Sequence, residues 1–183
     1  MRQCTTILVY SHLMEERGDL VRILEMYYLP LAKRAECRVK DLALKNIHFL
    51  FANATVSFKH IMSTYPGPLM LVSILCPDPH VKKKHHKRRV VQKPLVDSIL
   101  DSLAPGGKVF IRSDVLEVAV DMRNLFDERR DLLQHVDSID MTISCCVGGW
   151  PSKNPMEIRT EREIDAEFKG AKIYRRWYQK KLV

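Results

Sequence analysis

An aspartate fixed between two prolines and followed by a run of cations is the pattern here that could do chemistry. Residues 77–81 read Pro77-Asp78-Pro79-His80-Val81, and residues 82–89 read Lys82-Lys83-Lys84-His85-His86-Lys87-Arg88-Arg89. The formal net charge is +8, and this run supplies six Lys/Arg with no acid. A field concentrated in so short a segment attracts a polyanion, which lysine grips as a point charge and arginine as a planar fork. Two blander readings stand beside that one: a solvated loop and an import signal. Asp78 also has two readings. It caps its own turn, or it accepts hydrogen bonds from a ligand.

The elements that must position these groups come next. Leu69 to Leu75 is a nearly continuous apolar run, as expected of a strand covered on both faces, and the prolines at 77 and 79 stop it. Asp78 therefore falls at a strand's carboxyl end, where ligands bind in an open α/β sheet. Asn53 stands just past a short strand at 47–51, and Ser113-Asp114 just past a strand at 108–111. Each alone reads first as a turn or helix cap. Three at consecutive strand ends, one joined to a basic loop, read as a site.

Strand and helix patterns alternate from residue 46 onward. Pro94 opens a helix carried by Leu95, Val96, Ile99, Leu100 and Leu103, which Pro105-Gly106-Gly107 ends. Leu116, Ala119, Val120 and Met122 mark a second helix. Residues 158–168 fit a third, with Gly170 as its cap and 171–178 as a closing strand. Thr6 to Tyr10 reads as a strand, Leu20 to Leu29 as helical and Ala32 to Leu44 as a further helix. Residues 127–155 carry little pattern, and 150–155 read as a loop. The alternation argues for an α/β fold with a mainly parallel sheet.

Composition limits the alternatives. Hydrophobic residues make up 46% and charged residues 28% of 183 residues, which suits one domain with a real core. No stretch approaches the ~20 apolar residues of a membrane helix. The opening residues make neither a convincing signal peptide nor a transit peptide. Cysteines 4, 37, 76, 145 and 146 lack a disulfide framework and point to an intracellular, reducing compartment. The adjacent Cys145 and Cys146 lack zinc-ligand spacing and read as buried thiols, and Cys76 as a small buried filler.

The proline-aspartate-proline motif with its basic run and Val90-Val91-Gln92 resembles the signature of the tRNA (guanine-N7)-methyltransferase family. Leu103-Ala104-Pro105-Gly106-Gly107-Lys108, Ser113-Asp114, the segment Thr160-Glu161-Arg162-Glu163 and the closing stretch 170–175 are similar to its later landmarks. The resemblance covers residues 45–178. It implies a Rossmann-like methyltransferase sheet with helices on both faces, using S-adenosylmethionine on a guanine of tRNA. By position it makes Asp78 the active-site carboxylate and Lys82 a substrate contact. Lys84, His85, His86, Lys87, Arg88 and Arg89 would hold the RNA. Asp114, Thr160, Glu161, Arg162 and Glu163 would line the substrate or cofactor pocket, while Asn53, Ala54 and Leu75 match cofactor contacts. Thr160 with Glu163 also fits a helix capping box. Tyr174, Trp177 and Tyr178 could stack on bases, although alternating residues of a closing strand are more often core.

The chain departs from the family at its start. The cofactor fold needs a glycine-rich turn after its first strand, and Gly18 is the sole glycine before residue 67. Glu25 and Glu36 lack the sequence context of the acid that meets the ribose. Cys76 stands where an aromatic is usual. Residues 1–45 therefore read as a divergent or truncated segment and 46–183 as the methyltransferase-like domain, so the fold lacks part of its amino-terminal half. The expected function is methylation of guanine N7 in tRNA. The alternatives are a catalytically incomplete, tRNA-binding remnant of the same fold and an interaction protein with an import signal.

Overall fold

A computed structural model describes residues 6–11, 22–26, 29–43, 47–50, 52–64, 67–155, 157 and 159–182. Gly18 lies outside them. The elements in chain order are β1 (Thr6–Ser11), β2 (Arg22–Met26), α1 (Leu29–Asp41), β3 (Ile47–Leu50), α2 (Ala54–Ser63), β4 (Leu69–Leu75), α3 (Lys93–Ser102) and β5 (Leu103–Ser113). Then come α4 (Leu116–Asp127), β6 (Leu133–His135), β7 (Cys145–Cys146), β8 (Trp150–Pro151), α5 (Glu161–Phe168) and β9 (Tyr174–Lys180). Short 3-10 turns occupy Lys83–Arg88 and Val136–Ser138. Among the described residues no helix is long and apolar enough to cross a membrane.

Seven strands form one sheet in the order β3-β2-β1-β4-β5-β9-β6. β4 and β5 are parallel, as are β2 and β3, while β9 is antiparallel to both of its neighbours. β1 occupies the slot between β2 and β4 and runs antiparallel to both. The expected α/β class is therefore present, but the sheet is mixed rather than mainly parallel, because β1 and β9 run against their neighbours. β1 and β2, from the segment 1–45, pair within the same sheet as the strands that follow.

The right-handed rule for parallel crossovers puts α2 and α3 on one face of the sheet and α1 on the other. The core is one apolar cluster that joins Phe58 of α2, Leu95 and Ile99 of α3, and Met122 and Phe126 of α4 to Val72, Ile74, Val109 and Ile111 of the central strands. The helical spacing of these residues in sequence is the spacing that buries them.

Four further sequence expectations change. Within the expected helix at 20–29, residues 22–26 are β2, hydrogen-bonded on both sides, and Leu29 begins α1. A short apolar run fits either state, and sheet pairing decides it. β5 begins at Leu103 rather than at 108, so Pro105-Gly106-Gly107 lies within the strand. Gly106 takes φ +76, and a Cβ on Gly107 would come within 2.8 Å of the Ala104 carbonyl oxygen. Trp150 and Pro151 pair with Cys145 and Cys146 as a two-stranded ribbon instead of lying in a loop. The thiols of Cys145 and Cys146 are exposed, not buried: the ribbon covers Trp150 and Pro151 of β8 and leaves β7 outward.

The ribbon is tied to the sheet through β9. Trp150 packs edge-on against Tyr174, with the Arg123 guanidinium over its ring. Arg176 donates to the Gly149 carbonyl and from Nε to Nδ1 of His135 at 2.7 Å. Nε2 of His135 lies 3.2 Å from Asp127. An imidazole that accepts from arginine at Nδ1 is neutral and carries its proton at Nε2. Burial, followed by the Arg176 charge, holds its pKa below the usual imidazole value despite Asp127. The unfolded chain therefore takes up a proton near pH 6.5 that the folded chain refuses, and stability falls as pH drops through that range. His135→Gln should flatten this slope in urea unfolding curves taken between pH 7.5 and 5.5.

Candidate functional site

The site begins where β4 ends. Cys76 at φ +47 and His80 at φ +39 are non-glycine residues in the left-handed region, and they bracket Pro77-Asp78-Pro79. Each costs about 1–3 kcal/mol of backbone strain, which the surroundings must hold in place. Pro77 and Pro79 fix φ, the Cys76 amide donates to the Arg112 carbonyl at 2.8 Å, and Asp78 Oδ1 accepts the His80 amide at 3.2 Å. Cys76 is buried as expected, and burial raises its thiol pKa, which keeps it neutral. The half-buried Asp78 lines two clefts of about 400 Å³ and 350 Å³. Both are also lined by Lys87, Arg89, Val90 and Gln92.

The carboxyl-terminal half of the basic run, from His86 to Arg89, lines these clefts. Residues Lys83–Arg88 make the 3-10 turn, which leaves Lys82, Lys83, Lys84, Lys87 and Arg88 exposed. Arg89 points the other way. It is 7% exposed, donates from Nε to the Pro79 carbonyl at 2.9 Å, and pairs with Asp121 and with Glu117 at 3.0 Å. His86 lies 3.2 Å from Glu117. His86, Glu117 and Asp121 sit close enough together to resemble a metal-ligand set, but the Arg89 guanidinium is the cation among them. His85 is partly buried, and desolvation together with the Arg88 and Lys82 charges lowers its pKa, so it adds little positive charge. Of the six residues expected to hold RNA, Lys84, Lys87 and Arg88 face outward as cations. Arg89 fastens the turn to α4. Glu117 and Asp121 escaped the sequence reading, although their i,i+4 spacing on one helix face was a usable signal.

The second part of the rim lies at the end of β5. Asp114 takes a two-pronged bond from Arg162, at 3.1 Å from Nε and 2.7 Å from Nη2. Thr160 caps α5, its hydroxyl accepting the Glu163 amide at 3.3 Å. Glu163 is fully buried and meets Arg112, Arg175 and Asn154. Arg112 also donates from Nη2 to the Thr160 hydroxyl at 2.7 Å. Arg112 and Arg175 are direct cross-strand partners in β5 and β9, so two like charges face one another. Such a pair destabilises a sheet unless a carboxylate lies between them, and Glu163 does. Thr160 and Glu163 therefore brace the rim from beneath, Arg162 pairs on its surface, and Glu161 is exposed. Arg112 and Arg175 were not singled out in the sequence, because an arginine inside a strand gives no sign of which buried acid it will meet.

The residues matching cofactor contacts separate. Asn53 caps α2, its side chain accepting the Thr55 amide at 3.1 Å, and it lines the larger cleft with Asp78. Ala54 and Leu75 are buried. Glu25, which lacked context in the sequence, is the next-to-last residue of β2, beside Leu50 of β3. The amino-acid end of S-adenosylmethionine has no comparable place. Beside Leu75 the rim carries Thr6, the first residue of β1, rather than a turn leaving a strand's carboxyl end. The described residues do not fit the whole group.

Tyr178 is core: it stacks on Phe126 and donates to Asp127 at 2.9 Å. Tyr174 packs on Trp150, and Trp177 lies against Phe110 beneath the Lys108 ammonium. Of the three, Tyr178 is core, while Tyr174 and Trp177 are half-buried.

A seven-stranded sheet with polar strand ends and an antiparallel β9 inserted before β6 defines a Rossmann-like methyltransferase fold. The structure is similar to the crystal structure of an rRNA methylase from Streptococcus thermophilus, with TM-score 0.50 and 11% identity over 86% of this chain and 71% of that one. Residues 24–176 match the family described as "Putative methyltransferase", and the chain belongs to that family. It is 41% identical over 152 residues to a tRNA (guanine-N(7)-)-methyltransferase of Synechococcus sp. (strain JA-3-3Ab), covering 83% of this chain and 59% of the relative. It is 39% identical over 146 residues to one of Synechocystis sp. (strain ATCC 27184 / PCC 6803 / Kazusa), covering 80% and 64%. The chain thus spans about three fifths of the length of the curated relatives it matches.

Removing the carboxylate between two buried arginines leaves both uncompensated. Glu163→Ala should lower unfolding free energy by about 3–5 kcal/mol, measured by chemical denaturation. Loss of less than 1 kcal/mol would show that Glu163 does not hold the strand ends together.

Proposed function

We propose that the chain holds tRNA with its basic turn and presents one guanine to the rim at Asp78, the substrate side of S-adenosylmethionine-dependent methylation of guanine N7. The observation that carries this reading is the juxtaposition at the end of β4. A strained, proline-fixed aspartate lines two clefts, with the exposed Lys87 lining both and Arg88 the larger one. Relatives named for tRNA guanine-N7 methylation support the substrate class.

The chemistry asks for what the rim offers. Guanine N7 carries its own lone pair, so no general base is needed to make it a nucleophile. Catalysis then rests mainly on orientation. Asp78 accepts hydrogen bonds from the N1–H and exocyclic amine of guanine and favours the positive charge that develops on the base as N7 is alkylated. Lys84, Lys87 and Arg88 bind phosphates, which positions the RNA without reading its sequence. Lys82 enters the same surface, and Asp114 with Arg162 offers a fork-and-carboxylate pair at the neighbouring strand end. S-adenosylmethionine, when bound, supplies the methyl group.

Two sets of variants test the reading. Lys84→Ala, Lys87→Ala and Arg88→Ala combined should weaken tRNA binding and flatten log Kd against log salt by about one unit per lost phosphate contact. Arg89→Ala should instead lower thermal stability, since that guanidinium is committed to Asp121 and Glu117. An unchanged slope in the triple variant would remove the turn from the RNA interface. Asp78→Ala should leave tRNA affinity within about threefold, because phosphates supply the affinity, while abolishing any methyl transfer. Methyl transfer above background by that variant would refute the role of Asp78.

A further inference from the structure

The orientation of β1 bears on the methyl donor. In a doubly wound sheet a ligand's phosphate or carboxylate end is met by backbone amides of a turn that leaves the carboxyl end of a central strand. Here β2, β3, β4 and β5 all point the same way, and their carboxyl ends bring Met26, Leu50, Leu75 and Ser113 to one edge of the sheet. β1 fills the slot between β2 and β4 in the opposite sense. Its first residue, Thr6, lies opposite both Met26 and Leu75, so its amino end is at the rim. Its last residue, Ser11, lies opposite Leu69 at the far edge, and Tyr10 lies opposite Arg22, where β2 begins. The connection from β1 to β2 therefore starts and finishes at the edge remote from Asp78.

We infer that the reversed β1 replaces the donor-binding strand of the fold, so that this chain retains the guanine-holding rim and holds tRNA without loading S-adenosylmethionine. The hydrogen-bonded slot is filled, and the sheet stays closed and stable. What is lost is the direction in which the backbone leaves the slot. Asn53, by position, still suits the base end of the donor. Among the described residues, its ammonium and carboxylate, the most strongly hydrated part of the molecule, meet no turn leaving a strand's carboxyl end between β2 and β4. This inference rests on the proposed function for its tRNA arm and on the direction of β1 for its donor arm.

The test is calorimetry on the full 183-residue chain, with S-adenosylmethionine and with unmodified tRNA as separate titrants. The 41%-identical Synechococcus relative is titrated alongside as reference. The expected result is donor affinity at least 100-fold weaker than the relative's, with tRNA affinity within about tenfold of it. Donor affinity within tenfold of the relative's would overturn the inference, whatever the tRNA result. Loss of tRNA binding by a chain that still unfolds cooperatively would instead bring down the proposed function and leave the donor result to stand by itself.

Discussion

The buried carboxylate of Glu163 is the interaction on which the rim depends. β5 and β9 place Arg112 and Arg175 directly opposite each other, an arrangement that opposes pairing of the two strands unless a negative charge lies between them. Glu163 supplies it from α5, and Arg112 reaches on to the capping hydroxyl of Thr160. One charge thus joins three elements. It also sets the start of α5, and with it the place of Arg162 against Asp114. A buried ion cluster of this kind is poor value as stability alone, since apolar residues of the same volume often do as well. Its contribution here is to hold one fixed arrangement at the strand ends.

The basic turn is attached by the same logic with the signs reversed. Arg89 sits among Glu117, Asp121 and His86, where like charges on α4 would otherwise repel. One cation of the run is neutralised inward, and the outward ones remain free to set up an electrostatic field. Net charge therefore overstates what the turn offers a polyanion, and burial identifies which cation to subtract. The two charge clusters sit on either side of the strained peptide at Asp78. They are the elements that can offset the cost of left-handed Cys76 and His80.

Much of the site was legible because prolines and strand ends leave strong marks in sequence. Leu69 to Leu75 could be little other than a buried strand, and Pro77 and Pro79 could only end it. Thr160 and Glu163 signalled a helix start, which is found, but nothing local marks Glu163 as the acid between Arg112 of β5, 51 residues before it, and Arg175 of β9, 12 residues after it. Arg89 looked like its neighbours, since periodicity within eight basic residues does not reveal which one turns inward. β2 was misread because five apolar-rich residues carry no period that separates strand from helix. The direction of β1 was not legible at all. Alternation shows that a segment is extended and which residues share a face, but reversing a strand in its slot preserves both.

The most direct measurement is dimethyl sulfate probing of tRNA in complex with the chain, because that reagent alkylates guanine N7 itself and needs no bound donor. The expected result is altered N7 reactivity at one guanine with the wild-type chain, restored to the level of free tRNA with Asp78→Ala at concentrations that saturate both. A pattern identical with and without protein, or one that Asp78→Ala leaves unchanged, would contradict the assignment of the rim to guanine.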